Sequence, residues 1–124
     1  MPKAASGIGW LTAPEPHDYD AAESYLNLTF DGAAARRLVA RLRRAPLTQF
    51  KAKDIFRASG LSLLGISNTH VEKDRRKIAA RDKLSPLLLV RDATHARVVI
   101  ADGYHRLCAV YGYDEDALIP CRIV

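Results

Sequence analysis

Several features that would point directly to a function are missing from this sequence. Its 124 residues include only 2 cysteines, too few for a disulfide framework, and both Cys108 and Cys121 lie among apolar neighbours typical of small buried side chains. No apolar run approaches the roughly 18 residues that cross a bilayer, and the run at 87–90 suits a buried strand. No Gly-x-x-x-x-Gly-Lys-Ser/Thr phosphate loop or Gly-x-Ser-x-Gly nucleophile elbow occurs. The N-terminus also lacks an apolar signal region, so we expect a cytoplasmic protein with no membrane partner.

What is present is the composition of a soluble globular domain, with 48% hydrophobic and 27% charged residues. This length fits one domain. Residues 1–17 contain two glycines, three prolines and no sustained hydrophobic period, which predicts a mobile N-terminal arm before a single domain over 18–124. Trp10 is an exception, because a lone tryptophan in an arm is expected to dock on the domain.

Charge is distributed unevenly along the chain. The net charge is +5, but residues 36–83 hold 14 Lys/Arg against 4 Asp/Glu, and the remainder holds 5 against 10. A basic centre with acidic flanks predicts either a surface for a polyanion such as nucleic acid or a homodimer of complementary patches. Solvated helix faces explain the same pattern equally well.

Hydrophobic periodicity changes from helical to strand-like along the chain. It predicts helices over 20–29, 32–44, 51–58 and 70–81, a hairpin of strands 87–91 and 97–101, a helix over 104–111 and a last strand over 119–123. Gly112 is expected to end the helix before that strand. Helices followed by a small sheet with one inserted helix indicate an α+β fold.

The segment 98–109 is the most informative part of the sequence. A strand brings the chain to Asp102 and Gly103, and a helix then starts whose first N–H groups have no helical partner. These donors and the positive end of the helix dipole favour an anion, and a glycine lets a ligand approach the backbone. Arg106 offers a planar fork for phosphate oxygens, and His105 can move a proton near neutral pH. The turn therefore predicts a site for a phosphate-bearing ligand.

Structural roles for the same residues are the alternative. Asp102 is typical of a helix N-cap, Tyr104 could pack, and Arg106 could pair with an acid of the loop 114–116. Amides capped by the protein's own side chains, together with a structural ion pair on Arg106, would argue against the site.

Metal ligation is a weaker interpretation. Four residues are candidate zinc ligands, namely His95, His105, Cys108 and Cys121. Zinc sites usually combine two paired ligand motifs, and the sequence has no second pair. His17 and His70 are isolated and typical of surface or capping positions. Glu72, Asp74 and Asp102 could supply a carboxylate, but nothing in the sequence pairs them, so no metal site is predicted.

The run Asp102-Gly103-Tyr104-His105-Arg106-Leu107-Cys108-Ala109 resembles the Gly-x-His-Arg-x-x-Ala signature of the ParB/sulfiredoxin-like superfamily. The preceding basic helix, the strand 84–90, the turn and the strand into the motif are similar too, so the resemblance covers about residues 68–124. It implies a compact α+β fold with a small mixed sheet. It also implies a nucleotide-phosphate site, whose candidate ligand-binding residues here are Asp102, Gly103, Tyr104, His105 and Arg106 at the turn, with Lys73 and Lys77 on the basic helix.

The resemblance further implies ATP or CTP as the ligand, which Mg²⁺ can accompany, and a role as a nucleotide-dependent regulator or phosphotransferase. Sulfiredoxins carry a nucleophilic cysteine immediately before the histidine, whereas Tyr104 stands there in this chain, so sulfinic-acid reduction is not expected. The alternative function is a DNA-binding or ParB-like nuclease protein that uses the basic 36–83 region. The sequence leaves open which nucleotide binds, whether a reaction follows, and the oligomeric state.

Overall fold

The computed structural model describes residues 7–65 and 68–124, and within them helices and strands form an α+β architecture. The helices are α1 (Pro16–Leu26), α2 (Gly32–Arg44), α3 (Ala52–Ser59), α4 (Thr69–Ala79) and α5 (Tyr104–Tyr113). The strands are β1 (Gly9–Trp10), β2 (Thr48–Lys51), β3 (Lys83–Leu84), β4 (Leu87–Asp92), β5 (Arg97–Asp102) and β6 (Leu118–Ile123). None of the described helices is long and apolar enough to cross a membrane.

The main sheet is small and mixed, as predicted. Its strand order is β2-β6-β4-β5. Strands β4 and β5 form the predicted antiparallel hairpin around a 3₁₀ turn at Ala93–His95. Strand β6 runs parallel to β4 and antiparallel to β2. Because parallel strands need a crossover connection, α5 bridges from β5 to β6 and its first turn is fixed at the end of β5.

Strand β4 is buried on both faces, which explains its continuous apolar sequence. Leu87 and Leu89 point into one core, together with side chains of α3, α4 and α5. Leu88 and Val90 point into a second core, together with side chains of α1 and α2. The sheet is therefore the middle of three layers, and α2 and α4 lie on opposite sides of it.

The N-terminal segment differs from its prediction. Residues 1–6 of the expected arm lie outside the described residues, but Ile8 is buried, and β1 pairs in parallel with β3, within the segment predicted as the arm. Trp10 packs against the first core, as expected. Helix α1 begins at Pro16 and not near 20, because Glu15 and Asp18 form a capping box in which the Glu15 N–H donates to Asp18 Oδ2 over 2.8 Å.

One further prediction is corrected, and one strand was not predicted. Gly112 does not end α5, which continues to Tyr113, with Asp114 as its C-cap. Strand β2 was not predicted, because its exposed residues show no apolar alternation, and it exists through pairing with β6. Helix α2 is confirmed over its predicted range, and Asp31 caps it by accepting from the Ala34 N–H over 2.8 Å.

Candidate functional site

The turn between β5 and α5 has the geometry that the sequence predicts. Gly103 is the N-cap of α5 with φ +110°, a backbone conformation open to glycine at little cost. Gly103 offers no side-chain cap, and within residues 7–65 and 68–124 no side-chain oxygen accepts from an N–H of the first turn. Asp102 was predicted as the N-cap, and that assignment is wrong. The N-cap is Gly103, and the Asp102 carboxylate accepts from Arg106 instead.

Helix α4 packs against α5 and presents one polar face to this turn. His70, Lys73, Asp74 and Lys77 follow the i, i+3, i+4, i+7 spacing of a single helix face. Together with the turn they line a cleft of about 250 Å³. Its lining residues, hereafter the polar cleft, are His17, His70, Lys73, Asp74, Lys77, Asp102, Gly103, His105 and Arg106.

Six of the seven predicted site residues lie in the polar cleft. Tyr104 is the exception, because its hydroxyl donates a hydrogen bond to the Ser62 carbonyl oxygen and its side chain is not among the lining residues. Lys73 and Lys77 were predicted as site residues from the family resemblance alone. The packing of α4 on α5 brings both lysines beside the turn.

Sequence reasoning missed three lining residues. The helical spacing to Lys73 and Lys77 could have identified His70 and Asp74, because all four share one face of α4. No local signal could have identified His17, which reaches the cleft from α1, far away along the chain.

No protein-family model, curated protein or solved structure matches this chain. The chemistry of the polar cleft is therefore inferred from its own geometry.

Arg106 is both anchored and incompletely partnered. Its Nη2 lies 2.9 Å from Asp102 Oδ2 and 3.4 Å from the Pro86 carbonyl oxygen, and both charged side chains are 16% exposed. Its Nε is buried, and no hydrogen-bond acceptor for it exists among the described residues. Buried polar groups are normally satisfied, so this donor is an exception that calls for an explanation. In the described residues the ion pair of Arg106 is with Asp102, whereas the alternative considered from the sequence was an acid of the loop 114–116. Two observations would argue against an anion site: a structural ion pair on Arg106, and first-turn amides capped by side chains. The ion pair is present in the described residues, but the capping is not.

The acids of the polar cleft are held in an unfavourable environment for their charge. Burial raises the pKa of Asp102, against the opposing effect of the Arg106 guanidinium, and Asp18 raises it further. Burial also raises the pKa of Asp74, although Arg106 and Lys77 favour its charged form. An anion must enter beside these acids, so its binding depends on the surrounding cations.

The imidazoles lie side by side. The ring centroids of His70 and His105 are 4.9 Å apart. Burial lowers the pKa of His105, and the nearby His70 lowers it further, while Asp74 raises it. His105 is therefore poised to be neutral in the free protein and to gain a proton when an anion arrives.

Replacing Asp74 by asparagine is expected to stabilise the protein at pH 7 and to strengthen anion binding. Because the folded pKa of Asp74 lies above the ordinary value of 3.8, its ionisation costs stability as the pH rises from about 4 through the folded pKa. The neutral variant avoids that cost, so urea unfolding should show a gain at pH 7 that shrinks towards pH 4. Asp20→Asn, at an exposed position of α1, is the matched control. An equal gain at both pH values would contradict the burial argument.

One group of side chains at the rim has metal-ligand character. Single ligand atoms of Glu15, His17 and Asp18 lie within 4.8 Å of one another, and His17 also lines the polar cleft. In the described residues these atoms form ion pairs and capping contacts, with His17 Nε2 3.0 Å from Glu15 Oε2. The imagined zinc ligands do not come together, because Cys108 and Cys121 are buried in the core and His95 pairs with Asp92 in an exposed turn.

The basic 36–83 region does not form one surface. The arginines of α2 and the lysines and arginines of α4 lie on opposite sides of the sheet, since the two helices bury their apolar faces in different cores. A nucleic-acid interface would have to use one of these helices alone.

Proposed function

We propose that the polar cleft binds the phosphate groups of a nucleotide or a related phosphate-bearing ligand. The observation that carries this proposal is the convergence of Lys73, Lys77, Arg106 and an uncapped helix N-terminus on one cleft, with a buried Arg106 N–H that has no protein acceptor in the described residues. Backbone amides and guanidinium groups are the donors that proteins use for phosphate oxygens.

The size of the cleft favours a ligand that places only its phosphates inside. A volume of about 250 Å³ is small for a ligand of drug size, since such pockets span about 300–1,000 Å³. Lys73 and Lys77 also line a second, larger groove of about 580 Å³ along α4. A nucleoside extending from the phosphates can lie in this groove, which supports a nucleotide over inorganic phosphate.

The resemblance of the turn to the ParB/sulfiredoxin-like signature supports the same proposal, with Gly103, His105 and Arg106 as phosphate contacts. We propose the corresponding fold family on this basis. Tyr104 occupies the position of the sulfiredoxin nucleophile but points to Ser62 and away from the cleft, so the proposal is nucleotide binding in a regulator or phosphotransferase. Mg²⁺ bound to the nucleotide would have the carboxylates of Glu15 and Asp18 as nearby oxygen ligands.

Thermal unfolding with and without ligand tests the proposal. ATP, CTP, GTP and pyrophosphate, each with and without Mg²⁺, should raise the unfolding temperature, because a ligand at 100 times its Kd adds about 2.7 kcal/mol of stability. The double variant Lys73→Gln/Lys77→Gln should lose most of this shift. Arg75→Gln is the matched control, since Arg75 lies on the same helix outside the polar cleft and pairs with Glu72. No shift with any of these ligands at millimolar concentration would refute the proposal.

Anion binding should strengthen as the pH falls below about 6.5, because a bound anion favours the protonated form of His105, whose pKa is lowered in the free protein. Sulfate is the suitable probe, since its own charge stays constant in this range. One linked proton gives at most about a tenfold change in affinity per pH unit. His105→Gln should reduce the slope of the profile in calorimetric titrations, although His17 and His70 line the same cleft, and His95→Gln, in the exposed turn, should leave it unchanged. A flat profile in the unmodified protein would exclude a histidine contact with the anion.

A further inference from the structure

Strand β5 is an edge of the main sheet, since the strand order is β2-β6-β4-β5. An edge strand carries backbone N–H and C=O groups that no neighbouring strand binds. The part of β5 from Arg97 to Ile100 lines a groove of about 600 Å³. We call it the edge groove. It shares no lining residue with the polar cleft, so the two sites are separate.

The backbone groups of Val98 and Ile100 point away from β4. The Arg91 N–H donates to the Val124 carbonyl oxygen over 2.7 Å, and the Leu89 carbonyl oxygen accepts from the Val124 N–H over 3.2 Å. Leu89 and Arg91 therefore direct their backbone groups towards the β6 side of the sheet. Their register partners, Ile100 and Val98, form the non-hydrogen-bonded pairs of the hairpin, so the N–H and C=O groups of both face outward. Within residues 7–65 and 68–124 these outward groups have no hydrogen-bond partner.

Side chains from both faces of the sheet form the walls of the edge groove. Tyr25, Thr29 and Phe30, from the end of α1 and the turn after it, lie on the side of the second core. Ser59 and Leu61, from the end of α3 and the residues after it, lie on the side of the first core. Tyr25 and Leu61 are 44% and 42% exposed. A ligand in this groove therefore meets backbone donors and acceptors along the strand and apolar surface on both sides.

We propose that the edge groove binds an extended peptide segment of a partner protein, which adds to β5 as a further strand. Backbone groups of the segment bind the N–H and C=O groups of Val98 and Ile100. Its alternate side chains face the two walls, because successive side chains of a strand point to opposite faces. β-Branched residues suit the segment, since they fit a pleated and half-buried surface.

Charge at one end of the edge groove adds a preference for an acidic residue. Arg97 lies at the hairpin end, is exposed, and forms no ion pair with any described residue. Its register partner is Asp92, which pairs instead with His95 over 2.8 Å. An aspartate or glutamate at the end of the segment beside Arg97 therefore complements the charge there.

A second copy of this chain fits the edge groove less well. In a symmetric dimer the two β5 edges would face each other, each between its own pair of walls. Paired strands lie about 4.8 Å apart. The exposed side chains of Tyr25 and Leu61 from the two copies would meet before the strands reached that distance. A single strand without flanking helices avoids this contact, which favours a peptide segment over self-association.

Amide hydrogen exchange with an added peptide tests this inference. The probe is a short peptide of alternating valine and threonine that ends in aspartate, at millimolar concentration. It should slow exchange of the Val98 and Ile100 N–H groups severalfold and leave the Val99 N–H unchanged, since Val99 already pairs with Val90 in the hairpin. The same peptide with every backbone nitrogen methylated cannot donate to the edge and should have no effect.

Substitutions in the walls provide an independent check. Tyr25→Ala and Leu61→Ala remove exposed apolar surface that the peptide covers, so each should weaken binding roughly fivefold or more. Leu28→Ala is the matched control, because Leu28 is 79% exposed, follows α1 and does not line the edge groove. Arg97→Gln should weaken binding of the aspartate peptide roughly two- to fivefold and leave binding of its asparagine analogue unchanged.

Three results would each overturn the inference: no protection of Val98 and Ile100, equal protection by the methylated peptide, or equal effects of Tyr25→Ala and Leu28→Ala. Protection that rises with protein concentration alone, together with a dimer in sedimentation, would also overturn it, because a second copy would then occupy the edge groove.

Discussion

Replacing Gly103 by alanine is expected to destabilise the protein by roughly 2–4 kcal/mol, from backbone strain and overpacking together. Gly103 has φ +110°, and a Cβ at this position would lie 2.7 Å from Leu87 Cγ and 3.0 Å from Arg106 Nη2. Leu87 is fully buried, so it cannot move aside without disturbing the core. Chemical denaturation measures the loss, and titration with nucleotide should show that phosphate binding is lost as well, because the displaced Arg106 no longer faces the polar cleft.

Gly60→Ala is the control for this experiment. Gly60 also has a positive φ, +69°, but a Cβ there would meet nothing within 4 Å. Its substitution should cost only the strain of a left-handed residue, roughly 1 kcal/mol. Equal losses at Gly60 and Gly103 would show that the contact with Leu87 carries no energy and that strain alone accounts for both.

Removing the Arg106 side chain is expected to have two separable effects. Arg106→Met should abolish measurable phosphate binding and should also destabilise the protein by about 2 kcal/mol, because Asp102 loses the cation with which it forms an ion pair in the described residues while remaining largely buried. Without the guanidinium the pKa of Asp102 rises further above its ordinary value. The loss of stability should therefore be small near pH 4, where the carboxyl is protonated, and larger at pH 7.

The double variant Arg106→Met/Asp102→Asn distinguishes the two roles. It removes the unpaired buried charge, so unfolding experiments should show recovered stability at pH 7, but it does not restore the donors for phosphate oxygens. Recovery of phosphate binding in this variant would show that Arg106 serves only to neutralise Asp102 and has no contact with the ligand.

Local patterns in the sequence predict most of the helices and the hairpin, because each depends on neighbouring residues. The apolar stripe of α2 and the unbroken apolar run of β4 are examples. Strand β2 could not be predicted in this way, since Thr48–Lys51 is mostly exposed and becomes a strand only by pairing with β6. The cap of α5 was misplaced because an aspartate before a glycine is a typical N-cap, whereas here its carboxylate is drawn to Arg106 one turn later.

The candidate site likewise has a part that local sequence predicts and a part that only the fold determines. The local turn, with Gly103, His105 and Arg106, could be predicted because its residues are adjacent in the sequence. The contribution of α4 required knowing that this helix packs on α5, and the contribution of His17 required knowing that α1 lies beside the end of β5. Such long-range placements depend on the core, not on any motif.

The position of β6 between β2 and β4 has a consequence for how the protein is made. During translation, β2 leaves the ribosome long before residues 118–123, and within the described fold it has no neighbour in the sheet until β6 arrives. The hairpin β4–β5 can form early, because its strands are adjacent in the chain, whereas closure of the sheet is a late event between distant segments. Nascent chains halted before residue 118 should therefore expose the Thr48–Lys51 edge to chaperones.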